Sequence, residues 1–193
     1  MAYCKRPDGK IAVSIDSNAW NKLFDAKVAL ATELPSDRFK LFLPREIEIE
    51  THSIPNAADK IQLRDYIAQQ VHEADIATTY TFGFANIGGG PERRGGFGWG
   101  TSRSDEERSY YDAIRERYLI GKPGRGSGLS KNEGDAALGA ASLGSVVLTC
   151  DLHKPGPILE AIKHHGGKVV DMSNFCASGV PLASLIEAAY AAP

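Results

Sequence analysis

Cysteine is scarce in this chain: three in 193 residues, at Cys4, Cys150 and Cys176. They are odd in number and far apart, with no Cys-x-x-Cys pair and no Cys/His zinc spacing. That pattern argues against a disulfide framework or a structural zinc site, and a reducing, cytoplasmic setting is expected. No apolar run approaches the roughly 20 residues that span a bilayer. The opening MAYCKRPDGK lacks the apolar stretch of a secretion signal, so no membrane association is expected. Neither sign of charge dominates, since 22 Lys and Arg against 24 Asp and Glu leave a net charge of −2. The field of the whole molecule therefore does not advertise nucleic-acid binding, and any affinity for a polyanion has to come from a local patch. The stretch GKPGRGSG (121–128) has neither the spacing nor the preceding strand of a phosphate loop, and no dinucleotide fingerprint occurs. The five histidines show no paired ligand spacing.

What is present is ordinary for a globular protein: 42% hydrophobic and 24% charged residues. The length suits a single domain, 1–193, with one large insertion and no internal repeat. Ile11–Ile15 reads as a strand ending at Asp16. A helix should follow, with Trp20, Phe24, Val28 and Ala31 on one face and Ser17 or Asn18 as its cap. Phe39–Leu43 reads as a second strand. Pro44 then opens a short helix carrying Glu46, Glu48 and Glu50, and a longer helix is expected from about Ala57 to Thr79. Farther on, helices are expected over Asn132–Leu143, Pro155–His164 and Ala183–Ala192. Strands are expected over Ser145–Thr149 and Lys168–Val170.

Residues 81–131 differ in kind. Twelve of the 20 glycines lie there, and nine Lys and Arg against six Asp and Glu make the segment +3. It reads as a glycine-rich insertion with one helix, Asp105–Leu119. Arg93, Arg94 and Arg103, with Phe82, Phe84, Phe97 and Trp99, have the composition of a loop that holds unpaired RNA. A solvated linker whose aromatics pack on the domain is the competing reading.

Short apolar strands alternating with helices imply a parallel sheet covered on both faces, a three-layer α/β/α sandwich. Such sheets bind ligands beyond the carboxyl ends of their strands. Asp16 and Asp151 follow strands directly, and Glu50 follows the second strand by one short helix. Two carboxylates about 4 Å apart repel by roughly 4 kcal/mol at an effective dielectric near 20, so a cluster of them calls for a cation. Oxygen donors without histidine or thiolate favour Mg²⁺ or Mn²⁺. Such an ion polarises a phosphoryl oxygen and lowers the pKa of a water.

The segments IAVSIDSNAW (11–20), LFLPREIEIE (41–50) and GDAALGAASLGSVVLTCD (134–151) together resemble the PIN-domain family. The third is similar to the family's most characteristic stretch: an aspartate on a small-residue helix, an apolar strand, then Thr-x-Asp. The resemblance covers roughly 1–80 and 130–175, outside the insertion. It implies a divalent-metal-dependent endoribonuclease with Asp16, Glu50, Asp135 and Asp151 as metal ligands and Thr149 and Asn18 orienting the site. Glu46 shares a helical face with Glu50 and stands in reserve as the second acid. Leu152, His153 and Lys154 occupy positions where the family often carries a further acid, which leaves one ion on three or four carboxylates. The resemblance also implies single-stranded RNA as substrate, and a protein antitoxin and a second copy of the chain as candidate partners. The alternative is a catalytically weak or inactive PIN-like module that binds RNA or protein. Taken singly, each residue has a plainer role: helix capping for Asp16 and Asn18, strand packing for Thr149, and a favoured acid in the first turn for Asp135.

Overall fold

In the computed structural model, residues 6–55, 57–82, 92–98, 100–120 and 127–192 are described. The chain starts as β1 (Ile11–Ile15), α1 (Ala19–Asp25), α2 (Leu30–Glu33), β2 (Phe39–Pro44), α3 (Arg45–His52), α4 (Ala58–Glu73) and β3 (Ala77–Phe82). The chain continues with β4 (Arg94–Gly95), β5 (Gly100–Thr101) and α5 (Asp105–Tyr118). It closes with α6 (Glu133–Ala141), β6 (Val146–Thr149), α7 (Pro157–His165), β7 (Lys168–Asp171), α8 (Phe175–Ser178) and α9 (Leu182–Ala191). The strands run in the order β4-β3-β2-β1-β6-β7, with β5 also paired to β3, and every pairing is parallel. The fold is α/β, with a parallel sheet flanked by helices.

Ala12, Val13, Ser14 and Ile15 are all at most 4% exposed, so both faces of β1 are covered, as a central parallel strand requires. Val13 and Ile15 join Trp20 and Leu23 of α1, Leu63 and Ile67 of α4, and Leu182 and Ile186 of α9 in the main core. A smaller cluster ties Tyr110 and Ile114 of α5 to Ala136 and Ala140 of α6 and Ala161 of α7. Gly139 allows this close packing: a Cβ there would overlap the Tyr110 ring and hydroxyl.

Two expectations are corrected. The helix expected to reach Thr79 ends at Glu73, and the strand β3 follows it. Asp75 turns the chain with a left-handed φ of 47°. The threonine-rich ATTYTF then pairs with β2 from Phe42↔Ala77 onward, where β-branched residues suit the pleat. The glycine-rich stretch therefore follows a strand, not a helix. The first helix is also shorter than the Trp20–Ala31 stripe implies. Lys27, at φ 52°, breaks it into α1 and α2. Helix α5 is capped by Ser104, whose side chain and that of Glu107 cap each other's backbone N–H groups at 3.1 and 2.7 Å.

Candidate functional site

The carboxyl ends of β1 and β6 lie side by side, because β1 pairs with β6 through Ile15↔Leu148. Asp16 leaves β1 and is 2% exposed. Its backbone N–H donates to the Leu148 carbonyl at 3.0 Å, which continues the ladder by one residue. Thr149, fully buried at the end of β6, donates its hydroxyl to Asp16 Oδ2 at 2.5 Å. The same hydroxyl oxygen accepts the Asp151 N–H at 3.0 Å. One threonine thus fixes both aspartates of adjacent strands. Asn18 occupies the N-cap of α1 but makes no side-chain cap bond. Its Oδ1 instead accepts the Cys150 N–H at 2.8 Å, pinning the β1 exit to the β6 exit.

Glu50, on the last turn of α3, reaches the same corner. Ser17 Oγ donates to Glu50 Oε2 at 2.9 Å and lies 3.2 Å from Asp16 Oδ1, so one hydroxyl stands within reach of both carboxylates. Helix α6 arrives against Glu50 at Gly134, where a Cβ would sit 2.5 Å from Glu50 Oε1. The next residue is Asp135. Asp135 and Asp151 line one cavity of about 460 Å³, whose wall also carries Arg117, Lys131 and Lys154. These cations place basic side chains around the acids, a local answer to the acidic net charge.

The acids sense one another. Burial pushes the Glu50 carboxyl up to about 7, and the charges of Asp16, Asp135 and Glu46 push the same way, against the Ser17 hydrogen bond. Burial raises Asp135 to about 6, with Asp16 and Asp151 adding to it. Asp16 is also raised by burial, opposed by its bonds from Thr149 and Ser17. Carboxyl groups that resist ionisation beside one another mark a place where a cation would relieve the repulsion.

As placed, no three His, Cys, Asp or Glu side chains among the described residues converge closely enough to hold an ion. The chemistry of the set nevertheless fits a hard divalent ion: Asp16, Glu50, Asp135 and Asp151 offer oxygen donors alone. A bound ion would require those side chains to draw together.

The other acids and the glycine-rich stretch have separate assignments. Glu48 pairs with Arg45 and accepts the Thr78 hydroxyl at 3.0 Å, away from Asp16. Glu46 lines a different cavity together with Arg103. Glu133 pairs with Arg93 at 2.7 Å and accepts the Ser130 N–H at 2.7 Å, so Arg93 ties the glycine-rich stretch to α6. The Phe82 and Phe97 rings lie 5.5 Å apart, while Phe84 and Trp99 fall outside the described residues. His153 faces Ser173 Oγ at 3.2 Å. Sequence reasoning passed over Ser17 except as a cap, over Lys154 except as a position without an acid, and over Gly134 and Lys131. The adjacency of Ser17 to Asp16 and of Gly134 to Asp135 was the available signal.

No helix among the described residues is long and apolar enough to cross a membrane. Comparison with protein-family models, with curated proteins and with solved structures gave no match.

Proposed function

We propose that this chain is a divalent-metal-dependent endoribonuclease of the PIN-domain type. The observation that carries the reading is the gathering of acids at the carboxyl edge of a parallel sheet: the Thr149 hydroxyl joins Asp16 to the Asp151 backbone, the Ser17 hydroxyl reaches both Asp16 and Glu50, and Asp135 shares a cavity with Asp151. Asp16, Asp135 and Asp151 would hold Mg²⁺ or Mn²⁺, with Glu50 as a further ligand. When bound, such an ion supplies Lewis-acid polarisation of a phosphoryl oxygen and a water of lowered pKa. The chain's own part is orientation and charge. Thr149 holds Asp16 and the Asp151 backbone, Ser17 holds Glu50, and Asn18 joins the two strand exits. Lys131 and Lys154 would draw the phosphate backbone of single-stranded RNA toward the acids. A protein antitoxin and a second copy of the chain are the partners this reading carries with it.

The test is cleavage of single-stranded RNA with Mg²⁺ or Mn²⁺. Activity that disappears with chelator and in Asp16→Asn and Asp135→Asn supports the proposal. The open spacing of the acids favours one competing reading, a module on the same fold that binds RNA or protein without cutting it. Retained RNA binding with no cleavage by any divalent ion would select that reading.

A further inference from the structure

A cavity of about 320 Å³ lies among β1, β2, β3, α5 and α6, and the cleavage chemistry above leaves it unused. Strand alternation sends Ala12 and Ser14 of β1 and Thr79 and Thr81 of β3 toward it. Ser14 and Ser145 line it with hydroxyls hydrogen-bonded at 2.8 Å. It is therefore polar where a sheet face packed on a helix is normally apolar.

Four charged groups line this space; Arg6 pairs with Asp8 and Glu107 caps the Ser104 N–H, which leaves Arg103 and Glu46. Arg103 stands 3.7 Å over the Tyr111 ring, and its Nε is sealed from solvent with no hydrogen-bond partner. Glu46 also lines the cavity. Burial holds its carboxyl above the usual range, against a bond from its own backbone N–H and the charges of Arg94 and Arg103. Arg103 and Glu46 form no ion pair. Buried donors and acceptors are nearly always satisfied, so a guanidinium and a carboxylate held apart across a cavity ask for a ligand between them. It would accept from Arg103 and donate to Glu46.

A neighbouring cavity, also of about 320 Å³, shares Thr81 and Arg103 with the first and is lined by Arg94 and by Arg108, which also pairs with the exposed Asp105 at 3.0 Å. One site seeks N–H donors and the adjoining one seeks an anion. Each lies in the range of small-ligand pockets, roughly 300 Å³ and upward. A nucleotide carries both features on one molecule.

We propose that these adjoining cavities bind a guanine nucleotide, with the base's N1–H and N2–H edge on Glu46, its O6 toward Arg103, and its phosphate on Arg94 and Arg108. Guanine is the base whose Watson–Crick edge sets two N–H donors beside a carbonyl acceptor, the match to a carboxylate beside a guanidinium. Glu46 stands one turn before Glu50 on α3, and its charge acts on Glu50, so the pocket adjoins the acidic cluster. The inference deepens the nuclease reading, on which it rests only for placing the guanosine within an RNA strand.

The experiment is calorimetric titration of the full chain, in EDTA, with guanosine, inosine, adenosine and cytidine 5′-monophosphates and with inorganic phosphate. The guanosine nucleotide should bind about tenfold or more tightly than the adenosine and cytidine ones. The inosine nucleotide, lacking the 2-amino group, should fall between them, a comparison that needs no variant. Glu46→Gln should remove the preference for guanosine, and Arg103→Gln should weaken the guanosine nucleotide. Displacement of the bound nucleotide by a guanosine-containing RNA octamer supports an RNA strand as its source. Binding that the octamer does not displace supports a free nucleotide. Equal binding of all four nucleotides, affinity no better than phosphate, or a preference that survives Glu46→Gln would overturn the proposal. Because EDTA removes the metal, a guanosine preference stands even if cleavage is never seen. Cleavage without that preference removes the pocket alone.

Discussion

Thr149 Oγ1 donates to Asp16 Oδ2 at 2.5 Å while accepting the Asp151 N–H at 3.0 Å. Removing that hydroxyl unsettles two acids at once. Thr149→Val keeps the strand-compatible shape but leaves the nearly buried Asp16 carboxylate without one of its donors. A hydrogen bond to a charged group contributes roughly 1.5–3 kcal/mol, and loss of a residue that orients a metal ligand lowers metal affinity or activity by roughly 10–100-fold. Thr149→Ser should retain most of both. Melting temperature and RNA cleavage rate measured on the pair decide it. A valine variant as active as the serine variant would show that the hydroxyl has no orienting role.

Gly134→Ala separates site geometry from stability. Alanine improves helix propensity by roughly 1 kcal/mol over glycine, but its Cβ would meet Glu50 Oε1 at 2.5 Å and Ile47 Cδ1 at 3.1 Å. Glu50 must move away from Asp135. Mn²⁺ affinity and cleavage should fall roughly tenfold with little loss of melting temperature. Gly144→Ala, whose Cβ meets nothing within 4 Å, is the matched control and should leave both unchanged. Equal behaviour of the two variants would remove Glu50 from the site.

The raised acids set a direction for stability against pH. Glu50 moves from 4.5 to about 7 and Asp135 from 3.8 to about 6 on folding. Through that interval the folded chain holds more protons than the unfolded one, so stability falls as pH rises. The loss begins near pH 4 and is complete above about pH 7. Asp8, lowered from 3.8 to about 2 by Arg6, acts below that window. For Glu50, partly open to solvent screening, the effect is about 1–2 kcal/mol. Without metal, the melting temperature should drop between pH 5 and 7.5, by less in Asp135→Asn. Added Mn²⁺ should restore it at the upper end. A metal-free melting temperature that climbs over this range would contradict the electrostatic account of the site.

Strands β1, β2, β6 and β7 were legible because each is a short apolar run. Asp16 and Asp151 were legible because they end two of those runs. Strand β3 was not: ATTYTF is half-buried throughout and follows Val71, Ala74 and Ile76, which prolong the apolar spacing of α4. Only the left-handed turn at Asp75 and pairing with β2 settle it. Ser17 and Gly134 were hidden for a different reason. Their roles exist only once Glu50, 33 residues beyond Ser17, is folded against them. Arg93 looked like an RNA contact by composition, yet its charge is taken by Glu133. No pattern within residues 81–131 encodes that partner.

Packing of α5 onto α6 and α7 gives a last test, on the scaffold behind Asp135. The Tyr110 hydroxyl is buried without a hydrogen-bond partner, and burial raises its pKa. It stands where a Cβ on Gly139 would be, with the Pro157 carbonyl 3.2 Å from that point. Tyr110→Phe removes an unsatisfied polar group from the interior and should be neutral or slightly stabilising. Gly139→Ala overfills the contact and should cost about 1–3 kcal/mol in denaturant unfolding. Combining them removes the oxygen that the new methyl meets, although the ring carbon Cζ, 2.6 Å from the same point, remains in the way. The double variant should therefore recover part of the loss, with a coupling of about 0.5 kcal/mol or more. Strict additivity of the two substitutions would mean that α5 does not seat on Gly139 as described, and that the glycine-rich stretch is held to the domain by some other contact.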